Sequence, residues 1–157
     1  TGNHEYHAQA KSDVIDVLKQ VGNDVIENET RTIDVNGKAL RLAGVSDIWF
    51  DGDLGKTLEN VQPEDTTLLL AHNPDVVLDP HMQHVDAVFA GHTHGGQIRL
   101  PWIGPIARIP TQLGQVYDKG WFTYNGIPLF ITSGVSESGT RARLFNLPEI
   151  ILMTIQF

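Results

Sequence analysis

The sequence contains no cysteine among its 157 residues. Without thiols the chain can form neither a disulfide framework nor a thiolate metal site, so any metal must be held by histidine, asparagine or carboxylate groups. Such a hard to borderline ligand set suits manganese, iron or zinc. The absence of cysteine is compatible with both a reducing and an oxidising compartment.

Long apolar runs and an excess of positive charge are also missing. No apolar run approaches the ~20 residues that a membrane-spanning helix requires, and no signal peptide is recognisable. Lysine and arginine number 11 against 19 aspartate and glutamate residues, which gives a formal net charge of −8. A chain this acidic has no general field that attracts nucleic acid, so nucleic-acid binding is disfavoured. An anionic substrate would have to be held by local cations.

The composition that remains is that of a globular domain, and the predicted elements, both helices and strands, indicate an α/β fold. Hydrophobic residues make up 41% and charged residues 19%, which excludes a disordered chain. Turn signals at Asn36-Gly37 and Asn125-Gly126 predict two hairpins, and apolar spacing predicts an amphipathic helix over residues 13–20. With further strands predicted at 66–71, 85–90, 142–145 and 150–155, we expect about seven or eight strands. Residues 1–157 are therefore interpreted as a single domain with one mostly antiparallel sheet and flanking helices.

Two buried strands are predicted to end directly in histidine-containing turns. His72 follows the apolar run 66–71, and the segment GHTHGG at 91–96 follows the run 85–90. A third polar turn, Gly2-Asn3-His4-Glu5, opens the chain. Since the ends of neighbouring strands can meet at one sheet edge, the three turns can converge there. The two histidines of a His-x-His pair can bind two different metal ions, so the sequence predicts a metal site at this edge.

We assign no functional site to the other polar clusters in the sequence. Asp47, Asp51 and Asp53 alternate around Trp49 and Phe50, but their order does not match a calcium-binding loop. We interpret this segment as a solvated loop that leads into a short helix over 54–61. His81 and His84 are three residues apart and could form a helical metal pair, but like His7 they are predicted to be exposed.

The three turns, in this order, resemble the C-terminal metal motifs of the calcineurin-like metallophosphoesterases. The resembling residues are GNHE at 2–5, the lone His72, and GHTH at 91–94. The segments GHTHGGQIRLPWIG (91–104) and TSGVSESGTRARLFNLPEII (132–151) are similar to one bacterial branch of membrane-associated or secreted phosphodiesterases. GNHE or His-x-His alone is a weak signal, whereas the ordered set with a matching tail is strong, and the resemblance covers the whole chain.

The resemblance implies that the chain is the C-terminal part of a four-layer αββα sandwich. The family's Asp-x-His and Gly-Asp-x-x-Asp motifs lie upstream of these turns. The second occurs nowhere in the 157 residues, and the one Asp-x-His, Asp79-Pro80-His81, lies downstream of GNHE rather than before it. We therefore interpret the chain as part of a longer protein, whose leader or membrane anchor would lie in the missing segment. The implied location is membrane-associated or extracytoplasmic, with a cytoplasmic location as the alternative.

The resemblance also implies roles for individual residues. Asn3, His72 and His92 would bind one divalent ion and His94 a second, with manganese, iron or zinc about 3.5–4 Å apart and a metal-bridging hydroxide attacking the phosphoester in line. His4 matches the family's non-ligand histidine, which protonates or stabilises the leaving oxygen. In the long loop 98–115, which is rich in proline and glycine, Arg99, Trp102 and Arg108 are the side chains suited to substrate contacts, with simple loop packing as the alternative.

The expected function is that of a metal-dependent phosphodiesterase acting on a small-molecule or lipid phosphodiester. The bridging carboxylate belongs to the missing segment, so we expect the chain alone to be inactive and its uncovered sheet face to favour self-association. One alternative is a non-catalytic protein-binding module that keeps the fold, against which the intact histidines argue. A structural zinc protein is disfavoured because the predicted site is open and has no cysteine.

Overall fold

The computed structural model describes residues 1–156 and is built around one six-stranded sheet. The helices are α1 (Asn3–His7), α2 (Lys11–Gln20) and α3 (Leu54–Thr57), and 3-10 helices span Pro74–Leu78, Pro80–His84 and His94–Gly96. The strands are β1 (Glu29–Val35), β2 (Lys38–Val45), β3 (Thr66–Ala71), β4 (Ala87–Ala90), β5 (Arg99–Leu100), β6 (Gly104–Pro105), β7 (Gly120–Tyr124) and β8 (Ile127–Ile131). No helix in residues 1–156 is both long and apolar enough to cross a membrane.

The sheet has the strand order β1-β2-β3-β4-β8-β7. Both predicted hairpins are confirmed, as the antiparallel pairs β1–β2 and β7–β8 at the two edges. The three central pairs, β2–β3, β3–β4 and β4–β8, are parallel. The α/β class is thus confirmed, but the sheet is mixed rather than mostly antiparallel. Hairpin signals report only local pairs, whereas parallel pairs arise through long crossover connections that leave no turn signal.

The two faces of the central strands have different surroundings. Leu69, Val88 and Leu129 point to one face and are completely buried. There they pack in a core with Leu54 and Leu58 and with three side chains of the 3-10 segments, Val76, Val77 and Met82. Burying each of these leucine and valine side chains contributes roughly 1.5–3 kcal/mol. This core fixes the central strands, whose ends carry the histidine turns.

The opposite face carries a continuous apolar row across four strands. The register places Leu70 beside Phe89, Phe89 beside Phe130, and Phe130 beside Trp121. Leu70 is 40% exposed and Trp121 60% exposed. We call these four residues, Leu70, Phe89, Phe130 and Trp121, the apolar row. One sheet with one covered face is consistent with half of a metallophosphoesterase sandwich.

Several predicted elements differ in the structure. The polar turn at the start of the chain is the short helix α1, and the helix predicted over 54–61 ends at Thr57. The strands predicted at 142–145 and 150–155 are wrong, because these segments have no regular structure apart from one bridge between Ile98 and Leu144. A strand forms only beside a hydrogen-bonded partner strand. The sheet ends at β1 and β7, so the tail does not extend it. Leu144 instead forms backbone hydrogen bonds with the loop after β4.

Candidate metal centre

Two predicted ligands, His72 and His92, and one aspartate that was not predicted as a ligand lie at the carboxyl ends of the parallel strands. Asp47 comes two residues after β2, His72 directly after β3, and His92 two residues after β4. Since parallel strands end at the same edge, these three side chains meet there. Asn3, the first residue of α1, approaches the same point and is 9% exposed.

The donor atoms of these four residues converge. His72 Nε2 lies 3.0 Å from Asn3 Oδ1 and 2.9 Å from His92 Nδ1. Asp47 Oδ2 lies 3.9 Å from the same His72 nitrogen, and the nearest ligand atoms of Asp47, His72 and His92 are all within 4.8 Å of one another. We call Asn3, Asp47, His72 and His92 the ligand cluster.

The cluster fits a divalent ion in both spacing and chemistry. Donors bound at about 2.0–2.2 Å to one ion lie roughly 3.0–3.5 Å from their neighbours in tetrahedral or octahedral geometry, close to the separations around His72 Nε2. One buried atom of the cluster, Asp47 Oδ2, has no hydrogen-bond partner in residues 1–156. Buried polar atoms without partners are rare and indicate an unseen ion or water. The residues present therefore fit a metal ion.

The surroundings favour neutral imidazoles. Burial, and then the neighbouring His92 ring, lower the pKa of His72 to about 3. Burial also lowers the pKa of His92, against the opposing effect of the Asp47 and Asp75 carboxylates, and lowers the pKa of His94. A metal ion binds the neutral form of imidazole, so these histidines need not lose a proton to bind one at neutral pH.

The backbone at both histidine turns is constrained. A Cβ atom on Gly2 would lie 2.6 Å from ring atoms of His72, so only glycine leaves room for this imidazole. His92 and His94 have φ angles of +67° and +52°, in the left-handed region that residues other than glycine rarely adopt. Conformations of this kind cost about 1–3 kcal/mol each and persist where surrounding contacts enforce them.

Those contacts come from the tail of the chain. Asn146 Nδ2 donates to the backbone oxygen of His94 at 2.7 Å, and Lys119 Nζ in turn donates to Asn146 Oδ1 at 2.9 Å. Gln97 Nε2 donates to the Thr140 carbonyl at 2.9 Å. The tail whose sequence resembles the family thus holds the His92–His94 turn in place. Sequence reasoning did not identify Gln97 or Asn146, whose partners at this turn lie more than 40 positions away in the chain.

His94 and His4 lie beside the cluster rather than in it. His94 Nδ1 donates to the Ser136 carbonyl at 3.3 Å, which leaves Nε2 as the free acceptor. His4 is exposed, and its Nε2 lies 3.0 Å from the Ser138 hydroxyl. Both histidines line a cavity of about 330 Å³ that also reaches Asn3 and His92. The structure therefore places His4 and His94 around one space that opens on the cluster.

The predicted substrate residues Arg99 and Trp102 lie elsewhere. Arg99 forms an ion pair with Asp118 and donates to the Gly95 carbonyl at 2.9 Å. Trp102 is fully exposed, and both residues line a different cavity. Neither borders the space that opens on the histidines, so a substrate role for them stays a prediction. Arg108 does border that space, together with Trp49.

The loop interpretation of residues 47–55 needs one correction. Asp51 and Asp53 are exposed, as predicted for a solvated loop, but Asp47 is completely buried in the ligand cluster. Trp49 packs edge-on against the His92 ring, with 4.6 Å between the ring centroids. Among the other histidines, His7 and His81 are exposed as predicted, whereas His84 is half-buried.

Comparisons with known proteins find relatives that are named metallophosphoesterases. The chain is 28% identical to YkuE of Bacillus subtilis, an uncharacterized metallophosphoesterase, over 99% of this chain and 54% of YkuE. It is 28% identical to the phosphodiesterase YaeI of Escherichia coli, over 98% of this chain and 56% of YaeI. F40B5.2 of Caenorhabditis elegans, provisionally named a metallophosphoesterase, is 32% identical over 99% of this chain and 34% of its own length.

The chain thus spans between about a third and somewhat more than half of these relatives. The worm protein shows that the similarity is not confined to bacteria, so a bacterial source stays a prediction. No protein-family profile matches the chain. No solved structure matches it either. The similarity over nearly the whole chain to relatives named metallophosphoesterases supports the resemblance to the calcineurin-like metallophosphoesterase family and to the branch that includes YkuE and YaeI.

Proposed function

We propose that this chain carries one metal site of a dinuclear metal-dependent phosphodiesterase. One observation carries the proposal. His72 Nε2 lies 3.0 Å from Asn3 Oδ1 and 2.9 Å from His92 Nδ1, at the edge where the parallel strands end. When bound there, divalent ions supply positive charge to the phosphoryl oxygens and lower the pKa of water. His94, with Nε2 free, is proposed to bind the second ion.

The residues around the cavity have separate tasks in this proposal. His4 lies within reach of the cluster and donates a proton from its imidazole to the leaving oxygen, while Ser138 orients the ring. Arg108 forms no ion pair or hydrogen bond within the described residues and borders the cavity, so its guanidinium is available for a phosphoryl oxygen. In a chain of net charge −8, such a local cation is what an anionic substrate requires.

A diester is favoured over a monoester by the apolar side of the cavity. Ile98, Ile109, Pro110 and Trp49 line it beyond the histidines. These side chains suit the second organic arm of a phosphodiester, whereas a monoester would leave an additional anionic oxygen against them. The substrate class proposed is therefore a small-molecule or lipid phosphodiester.

The activity is tested with two chromogenic substrates, bis(4-nitrophenyl) phosphate and 4-nitrophenyl phosphate. The assay is run with added Mn²⁺ on this chain and on the longer gene product, where one is encoded. We expect the longer product to hydrolyse the diester faster, and a His4→Ala variant to lose roughly 10²–10⁴-fold in kcat at unchanged metal content. His81→Ala, at an exposed histidine outside the site, is the matched control. Metal binding by the longer product without hydrolysis of either substrate would contradict the proposed activity.

A further inference from the structure

The carboxylate of Asp47 has a fixed orientation. Its backbone oxygen accepts hydrogen bonds from the Phe50 and Gly52 amides at 3.0 and 3.1 Å, which closes the turn after β2. Its Oδ1 accepts from the Trp49 amide at 2.8 Å. The Trp49 bond occupies Oδ1. The other oxygen of the side chain, Oδ2, faces the remaining cluster residues.

This second oxygen is buried and has no donor. Asp47 is completely buried, and Oδ2 has no hydrogen-bond partner in the described residues. The nearest cluster nitrogen, His72 Nε2, lies 3.9 Å away, too far for a hydrogen bond. Leaving a buried carboxylate oxygen without a donor costs free energy, so the position is explained if another group satisfies that oxygen.

We propose that Asp47 Oδ2 is a direct ligand of the metal ion held by Asn3, His72 and His92. Asn3 and the two neutral imidazoles carry no charge, so Asp47 supplies the anionic donor of the cluster in the described part of the chain. A carboxylate raises affinity for a dication and suits manganese as well as zinc. The proposal rests on the proposed function only in requiring a metal ion at this sheet edge.

The first test is a calorimetric titration with Mn²⁺ of the metal-free protein and its Asp47→Asn variant. Asparagine keeps the acceptor for the Trp49 amide and removes the charge. We expect Asp47→Asn to bind Mn²⁺ about 10–100-fold more weakly. A loss of this size is typical even for residues that only hold a metal ligand in place. Asp16→Asn, at an exposed aspartate on α2, is the matched control and should bind as the unaltered protein does.

Thermal unfolding without metal separates a ligand from a structural carboxylate. If Asp47 serves the metal, the Asp47→Asn variant removes a buried, unsatisfied charge and its metal-free Tm is equal to or higher than that of the unaltered protein. A lower metal-free Tm, Mn²⁺ affinity within threefold of the unaltered protein, or no Mn²⁺ binding by the unaltered protein overturns the proposal.

A second variant tests direct ligation without relying on affinity. The chain has no cysteine, so Asp47→Cys introduces a single thiol at this position. On addition of Co²⁺ we expect a sulfur-to-cobalt charge-transfer band in the near ultraviolet, which forms only when the thiolate binds the ion. Ser12→Cys, at an exposed position of α2, should give no such band. A Co²⁺-loaded Asp47→Cys protein without the band overturns the proposal, and leaves the proposed hydrolysis to its own assay.

Discussion

At the scale of single residues, the contact between Gly2 and His72 controls the ligand cluster. The His72 ring lies so close to Gly2 that a Cβ atom there would approach it to 2.6 Å. A Gly2→Ala substitution must therefore displace the imidazole whose Nε2 lies between Asn3 and His92.

We expect Gly2→Ala to weaken Mn²⁺ binding by about 10–100-fold, as loss of ligand orientation typically does, and to lower stability by roughly 1–3 kcal/mol through overpacking. Calorimetric titration and thermal unfolding measure the two effects. Gly91→Ala is the matched control, because a Cβ there would meet its nearest atom, Thr132 Cγ2, at an unstrained 3.8 Å. Equal Mn²⁺ affinity for the two variants would show that His72 does not depend on this space.

The lowered pKa of His72 predicts a pH dependence of stability. Above pH 6.5 the imidazole is neutral in the folded and the unfolded chain, but between pH 6.5 and about 3 only the unfolded chain takes up the proton. The free energy of unfolding of the metal-free protein should therefore fall as the pH is lowered through this range, by up to about 1.4 kcal/mol per pH unit.

Chemical denaturation at a series of pH values measures this slope. His72→Asn removes the titrating group and should make the slope shallower between pH 6.5 and 3. His81→Gln, at an exposed histidine, should leave it unchanged. An identical slope for His72→Asn and the unaltered protein would refute the assignment of this dependence to His72.

At the residue scale, the sequence indicated candidate ligands only where chain position carried the signal. His72 and His92 could be singled out because each follows a buried strand, and the structure places their nitrogens 2.9 Å apart. Asp47 could not be distinguished from Asp51 and Asp53, because only the tertiary structure decides which of three nearby aspartates is buried. Gln97 and Asn146 act through partners far away in the chain, which spacing cannot reveal.

At the scale of elements, local signals predicted the hairpins and the strands but not how the strands combine. Asn36-Gly37 and Asn125-Gly126 each join an antiparallel pair as expected. The parallel pairing of β2, β3, β4 and β8 depends on long crossovers and was missed, although it is this pairing that gathers the cluster at one edge. The apolar run at 150–155 looked like a strand, but the structure provides no partner ladder for it.

The apolar row predicts self-association of the chain. Leu70 and Trp121 remain exposed on a sheet face, and apolar patches of this kind promote contacts between chains. Light scattering should detect oligomers of the unaltered chain, and Trp121→Lys should shift them toward monomer. Ile103→Lys removes an apolar side chain that is 75% exposed outside the row and serves as control. A monomeric unaltered chain would contradict this prediction.

At the scale of the whole molecule, the described residues provide one set of converging ligands. Asp47, His72 and His92 form the one group of three acidic or histidine side chains close enough for a common ion within residues 1–156, and Asn3 joins them. His94 lies outside this group. The chain spans 54% of YkuE and 56% of YaeI.

Binding of a metal ion by Asn3, His72 and His92 is tested by the stoichiometry of Mn²⁺ or Zn²⁺ binding to this chain in titration calorimetry. We expect one divalent site per chain, absent from a His72→Ala/His92→Ala double variant that is still folded by circular dichroism, with negligible phosphodiesterase activity in either protein. Two tight sites, no site, or a site that survives in the double variant would contradict this expectation.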